Sequence, residues 1–323
     1  MSLRISRRKF LAGIGALAGA GAASSLPSYA LFEPPLYPPM DLSYFDTQIS
    51  GAPGKIHIGY AAITWNEKDR EAIEDIAALG FHGIQLRSNA IKEFSSASEL
   101  RDLLQKHQLM MVALSSGNVN IDPAVEKDQI VLHTANAKFV HDVGGLYLQV
   151  LDQKPKDRAV TDADYKRLGR MLSEIGKRTA DLGIGLGYHN HMGTMSEHPD
   201  GLERVLAASD PRYVKLELDV AHYFQGGGDP VKAIEKHANR LLFLHIKDVE
   251  PVQDANHPER PYRWVELGRG KVDLPGVVDS LRKVNFRGWA IVELDAVPDK
   301  SRTPKDAAVI SKKYLEERLG LTV

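Results

Sequence analysis

The chain has 323 residues, 43% of them apolar, a net charge of −1 and no cysteine. A balanced charge leaves no electrostatic footprint for nucleic acid or an anionic membrane surface. The missing cysteines exclude disulfides, thiolate metal sites and cysteine nucleophiles.

The first thirty residues read as an export signal. Ser6-Arg7-Arg8-Lys9-Phe10-Leu11 is a twin-arginine pattern, the weakly apolar run Ala12 to Ala23 follows, and Ser28-Tyr29-Ala30 offers a small-x-small cleavage site. The run falls well short of the ~20 residues a bilayer span needs, and the rest of the chain holds no longer one. These features predict a twin-arginine signal peptide over 1–30, a periplasmic destination and no membrane span in the mature protein. The alternatives are an uncleaved anchor and a cytoplasmic protein with a basic arm. Residues 31–55 carry Pro34, Pro35, Pro38, Pro39 and Pro53 and little periodicity, as a tether or a segment lying across the domain would.

From residue 56 onward strand-like and helix-like patterns alternate. Strands are expected at 56–62, 82–87, 109–115, 145–150, 183–189, 213–219, 241–247 and 288–294. Helices are expected near 68–79, 97–107, 124–143, 161–182, 200–208, 230–238, 274–284 and 304–318. Several helices stop just before a glycine, as in Ala78-Leu79-Gly80 and Asp181-Leu182-Gly183, which supplies a left-handed cap. Eight such alternations point to an α/β fold, a (β/α)8 TIM barrel forming a single catalytic domain over 56–323. A doubly wound open sheet is the runner-up, but no Gly-x-Gly-x-x-Gly follows the first strand. Gly226-Gly227-Gly228 precedes Asp229-Pro230 and reads as a loop and helix start.

Four of the last strands end on a polar residue: His189, Asp219, His245 and Glu293. In a parallel barrel all strand C-termini open on one face, so these residues converge there. Strand alternation sharpens the point. Lys215, Glu217 and Asp219 share the inward face, with Leu216 and Leu218 turned to the helices; His189 goes with His191, His245 with Lys247, and Glu293 with Asp295. Polar groups stacked inside a barrel are costly unless a metal, a substrate or one another satisfies them. Two histidines and two carboxylates suit Mn²⁺, Zn²⁺, Co²⁺ or Mg²⁺. Such an ion would polarise a sugar carbonyl while a nearby base removes the adjacent proton, giving an enediolate. Glu293, His191, Lys247 and His222 are the candidate proton carriers. Polar strand ends facing solvent are the plainer alternative.

The chain resembles the xylose-isomerase-like TIM-barrel superfamily of sugar isomerases and epimerases, and within it the inosose dehydratases and related keto-sugar enzymes. The resemblance rests on Ile63-Thr64-Trp65, Gly80-Phe81-His82-Gly83-Ile84-Gln85-Leu86, Tyr188-His189-Asn190-His191-Met192-Gly193-Thr194 and Leu218-Asp219-Val220-Ala221-His222. It continues through Leu244-His245-Ile246-Lys247-Asp248, Leu267-Gly268-Arg269-Gly270-Lys271-Val272-Asp273 and Val292-Glu293-Leu294-Asp295. It implies a divalent metal at the ends of strands five to eight, with Asp219, His245 and Glu293 at three ligand positions. Many members carry glutamate where this chain has His189, which is therefore a fourth ligand or a substrate contact. Gln85 also stands where glutamate is frequent, and Arg87 shares its face and could reach substrate or lie at the surface. Trp65 is a candidate sugar-stacking platform or a packed barrel-top residue. Arg269 is a candidate substrate contact or simply part of a loop that needs its glycines. Lys247-Asp248 is a candidate rim ion pair.

Together these features predict a divalent-metal-dependent enzyme, Mn²⁺ being the favoured ion, acting on a sugar, keto-sugar or cyclitol by proton abstraction next to a carbonyl. Isomerisation or epimerisation comes first, elimination of an inosose-dehydratase or 3-keto-glycoside kind second, and a non-catalytic periplasmic sugar-binding protein third. The expected partner is a small, neutral carbohydrate. Nothing in the sequence specifies an oligomeric state.

Overall fold

Eight of the apolar runs pair as parallel strands that close on themselves. They are β1 (Ile56–Ala61), β2 (Gly83–Arg87), β3 (Met110–Asn120), β4 (Tyr147–Gln153), β5 (Gly185–His189), β6 (Val214–Asp219), β7 (Leu241–Ile246) and β10 (Gly288–Val292). Their order around the barrel is β1-β10-β7-β6-β5-β4-β3-β2. Closure runs through β1 and β10, from Ile56 opposite Gly288 to Tyr60 opposite Val292, which rules out the open sheet. This computed structural model describes residues 56–253 and 261–323. The expected signal peptide and the proline-rich segment lie outside the described residues. Among those described, no helix is long and apolar enough to cross a membrane.

The crossover helices are α1 (Asp69–Ala78), α2 (Ala90–Glu93), α3 (Ala97–Lys106), α4 (Glu126–Val143), α5 (Asp162–Asp181), α6 (Pro199–Ala208), α7 (Val220–Gln225), α8 (Pro230–His237), α9 (Leu274–Lys283) and α10 (Pro304–Arg318). Local chemistry sets where they begin. Thr161 with Asp164, and Thr303 with Asp306, form reciprocal capping boxes at the starts of α5 and α10. The short helices α2 and α7 have no counterpart in the sequence periodicity. A second unexpected element is the antiparallel hairpin of β8 (Asp248–Pro251) and β9 (Tyr262–Val265), which continues from β7 outside the barrel.

Apolar side chains fill both the layer between strands and helices and the lower half of the barrel interior. Leu216 and Leu218 pack in the outer layer, as strand parity requires. Inside, Trp289 and Phe243 form an aromatic floor with Ile291 and Ala113. Two inward glycines make room for it. A Cβ on Gly83 would come within 2.2 Å of the Trp289 ring, and one on Gly187 within 2.9 Å of Phe243. Strand β3 runs five residues beyond its expected end. Its register against β4 shifts between Ser115 and Asn118, where Gly117 adopts a φ of 89°.

Candidate active site

Above the aromatic floor the interior turns polar. Glu217 of β6, Gln149 of β4, Gln85 of β2 and His245 of β7 are fully buried and bonded in a chain. Gln85 Nε2 donates to Gln149 Oε1 (3.2 Å), and Gln149 Nε2 donates to Glu217 Oε1 (3.2 Å). His245 Nε2 lies 2.7 Å from Glu217 Oε1 and 2.8 Å from Gln85 Oε1, so its N–H points down into this layer and the other ring nitrogen points up. Gln149 carried no signal in the sequence. Glu217 was legible only as an inward residue.

At the strand ends each prospective ligand has one atom held by protein and another left over. Asp219 Oδ1 caps α7, accepting the N–H groups of Ala221 and His222 at 2.8 Å each. Glu293 Oε1 accepts from Lys247 Nζ at 2.9 Å. His245 Nε2 is held from below as described. The atoms left over are Asp219 Oδ2, Glu293 Oε2 and His245 Nδ1, with Nδ1 3.6 Å from Oδ2 and 3.4 Å from Oε2. Asp219 Oδ2 and His245 Nδ1 are buried with no hydrogen-bond partner. Buried polar atoms without partners are costly, and a divalent cation would satisfy both. The donor set, two carboxylate oxygens and an imidazole nitrogen with its other N–H anchored, is one such ions accept. The three residues form a group whose ligand atoms all lie within 4.8 Å of one another.

His189 stands beside this trio. Its ligand atoms group instead with Glu217 and His245, or with His191 and His222. Its Nδ1 lies 3.7 Å from Glu217 Oε1, and it lines the pocket above the trio.

Electrostatics set the charges. Burial alone would lower His245, but the Glu217 and Glu293 carboxylates outweigh it and hold the imidazole well above its ordinary range. The field that favours a proton at Nδ1 also favours a metal cation there. Burial would raise Glu293, yet His245 and Lys247 keep it ionised. Burial opposes charge on Lys247 too, and Asp295, Glu293 and Asp219 overcome it, so the amine stays protonated. His189 and His222 go the other way: burial first, then neighbouring His245 and Lys247 respectively, push each well below its ordinary range.

Lys247 lies at the centre of a second cluster. It donates to Asp295 Oδ1 at 2.6 Å and stands 4.5 Å from the centroid of Trp264 on the hairpin. Trp264 also meets His222 edge-on at 4.5 Å. His222 Nδ1 accepts the N–H of Met192 (3.2 Å), and the His191 and His222 rings lie 3.8 Å apart. His191 Nδ1 is 2.6 Å from the Met192 carbonyl, which leaves Nε2 as the nitrogen away from the main chain. Two openings meet here. A pocket of about 210 Å³ over the trio is lined by Gln85, Arg87, His189, His191, Glu293 and Asp295 among others. A cleft of about 600 Å³ beside it shares His191 and Asp295 and adds Trp264, Tyr262 and Met192.

Three sequence expectations are corrected. Trp65 is 2% exposed; the 3-10 turn Ala62–Trp65 carries its ring into the layer against Tyr60, and its Nε1 donates to Asp75 of α1 (3.0 Å). It packs the outer layer and presents no face to a sugar. Arg269 lines neither opening and lies 3.7 Å from Glu266, in a loop held elsewhere. Lys247 and Asp248 are not an ion pair: Lys247 turns inward, while Asp248 accepts the main-chain N–H groups of Val249, Gly268, Gly270 and Val272 and pins that loop. Arg87, by contrast, does line the pocket. Trp264 escaped notice because it rides on a hairpin that periodicity does not reveal.

The chain is 26% identical to an inosose dehydratase of Lacticaseibacillus casei over 298 residues, covering 82% of this chain and 98% of that protein. Among solved structures it superposes on the IOLI protein with a bound zinc atom (TM-score 0.68, 18% identity, 82% of this chain and 98% of that one). It also superposes on a D-allulose 3-epimerase from Methylomonas sp. (TM-score 0.67, 19% identity, 83% and 99%). At these identities the two structures speak for the fold. A family profile described as xylose isomerase-like TIM barrel matches residues 73–317, and the chain belongs to that family.

Proposed function

We propose that this protein is a divalent-metal-dependent enzyme that removes a proton next to the carbonyl of a keto-sugar or cyclitol, and that elimination of water completes its reaction. The convergence of Asp219 Oδ2, His245 Nδ1 and Glu293 Oε2 carries the reading. Sequence reasoning put isomerisation first; the similarity to a protein named inosose dehydratase moves elimination ahead of it. Isomerisation or epimerisation remains the second reading, favoured by the superposition on a D-allulose 3-epimerase. Both begin with the same proton transfer.

Asp219, His245 and Glu293 would hold the ion. A divalent ion at this place supplies charge that polarises a carbonyl and favours the enolate over the ketone. Mn²⁺ suits a set richer in carboxylate than in nitrogen, and Zn²⁺, Co²⁺ and Mg²⁺ are the alternatives. His191 is the proposed base, since Nε2 is its nitrogen away from the main chain and it borders both openings. Lys247 is held charged and contributes a fixed positive charge and a proton donor at the leaving oxygen. Glu293, with one oxygen on Lys247 and the other aimed at His245, serves as a ligand and not as the base. His189 and Arg87 orient substrate hydroxyls, and His222 braces the loop that bears His191. Gln85, Gln149 and Glu217 keep water from the underside of the site.

Metal analysis of purified protein tests the carrying observation. Near-stoichiometric divalent ion, lost in Asp219→Ala and His245→Ala, is expected; retention in both variants sinks the assignment. Deuterium from solvent should also enter the carbon next to the carbonyl of a keto-sugar, and binding without exchange would return the sugar-binding-protein reading. We further propose export to the periplasm, supported by Arg7-Arg8, the apolar run and Ser28-Tyr29-Ala30.

A further inference from the structure

The pocket over the ligand trio and the cleft beside it differ in size. The first, about 210 Å³, sets Gln85, Arg87, His189 and Glu293 beside Ala61, Ile63 and Leu151 and suits one small hydroxylated ring. Small-molecule pockets run to roughly 300–1,000 Å³, so it is small by that measure. The second, about 600 Å³, is walled by four segments from the barrel's upper rim: the hairpin, the loop after β5, His222 of α7 and the loop after β10. Tyr262, Trp264, Met192 and Pro298 give it apolar faces. One cyclitol or hexose ring over the trio leaves this volume unfilled.

The Trp264 ring is fixed before any ligand arrives. The Lys247 ammonium sits 4.5 Å from its centroid, the His222 ring meets it edge-on, and Tyr262 lies 5.0 Å away. A fixed aromatic plane binds a flat or apolar-faced ring without paying to immobilise a side chain. The same residue touches the proposed proton donor, so a group stacked on it lies next to the reacting ring. His191 and Asp295 line both openings and mark where they join.

We propose that the cleft is a second-ring subsite, so that the substrate is a two-ring molecule: a keto-sugar ring over Asp219, His245 and Glu293, joined to a six-membered ring with an apolar face that stacks on Trp264. The second ring is a sugar or an aryl group, which share that face. The inference rests on the proton-abstraction reading for its first ring and on the cleft alone for its second.

The test uses the full-length, Mn²⁺-loaded protein and three probes: the 3-keto derivatives of methyl β-glucoside, phenyl β-glucoside and cellobiose. Calorimetric titration should show roughly two- to tenfold tighter binding of the phenyl or the cellobiose derivative over the methyl one. Preference for cellobiose names a sugar as the second ring, and preference for phenyl names an aryl group. Trp264→Ala should abolish the preference, Trp264→Phe should keep most of it, and Met192→Ala in the same cleft should reduce it. Absence of any preference, whether all probes bind alike or none binds, overturns the subsite, as does a preference that survives Trp264→Ala. Solvent-deuterium incorporation into the methyl derivative reads the chemistry separately. Exchange without ring preference sinks the subsite alone; ring preference without exchange sinks the proton-abstraction reading and leaves the subsite standing.

Discussion

Asn190 returns both ends of its side-chain amide to the main chain of Asp219: Nδ2 donates to the Asp219 carbonyl at 3.1 Å, and Oδ1 accepts the Asp219 N–H at 3.0 Å. The pair extends the β5–β6 ladder by one step beyond the last paired strand residues, using a side chain where the backbone has already turned away. It sets the direction from which Asp219 presents its carboxylate. Asn190→Ala leaves two buried main-chain groups unpaired, at about 1–3 kcal/mol each. The expected outcome is a lower unfolding midpoint and metal affinity weakened by about 10- to 100-fold, as for other groups that orient a ligand. Competition with a metal-sensing dye measures the second effect, and unchanged affinity would show that Asn190 serves stability alone.

Lys247→Met should be costly twice over. It takes the ammonium from buried Glu293 and from partly exposed Asp295, and the loss at Glu293 destabilises by about 3–5 kcal/mol. Chemical denaturation reads that loss. If Lys247 is the proton donor proposed above, turnover should disappear even at temperatures where the variant is folded.

Arg87 and Arg269 looked alike in the sequence and should differ in the enzyme. Arg87→Ala removes a cation from the pocket wall and should raise KM with a smaller effect on kcat. Arg269→Ala should leave both unchanged, since its guanidinium lies beside Glu266 away from both openings. Steady-state kinetics on the same substrate decides the contrast.

His133 gives a pH dependence remote from the proposed metal ligands. Fully buried on α4, its Nδ1 accepts from Ser116 Oγ (2.6 Å), which itself accepts from Asn136 (2.9 Å). Burial lowers its pKa from 6.5 to about 4. Between these values the unfolded chain binds a proton that the folded one refuses, so its contribution is full above pH 6.5 and is lost as pH falls towards 4. The gap is worth about 3 kcal/mol. Urea unfolding at a series of pH values should show His133→Leu with a slope shallower by about one proton in that window. Equal slopes would refute the assignment.

Much of the barrel was readable because each strand bears its own punctuation. Alternation placed Glu217, Asp219, His245 and Glu293 inward, and a polar residue closing an apolar run has few uses inside a barrel other than a site. What escaped was set by geometry that no run of residues encodes. Trp65 follows β1 by four residues, and the 3-10 turn between them rolls it under α1 to meet Asp75. Trp264 sits in a four-residue strand whose partner begins fourteen residues earlier, and no periodicity marks so short a hairpin. Gln149 acquires its role only from Gln85 and Glu217, which are 64 and 68 residues away in sequence.

The aromatic floor of Trp289 and Phe243, admitted by Gly83 and Gly187, closes the barrel from below. An ion held by Asp219, His245 and Glu293 would therefore leave upward, through the pocket and cleft by which a sugar would arrive. Substrate would then act as the stopper of a bound metal: a chelator should strip the resting protein quickly and the saturated protein slowly. Metal loss measured with and without bound sugar would reveal that order of comings and goings.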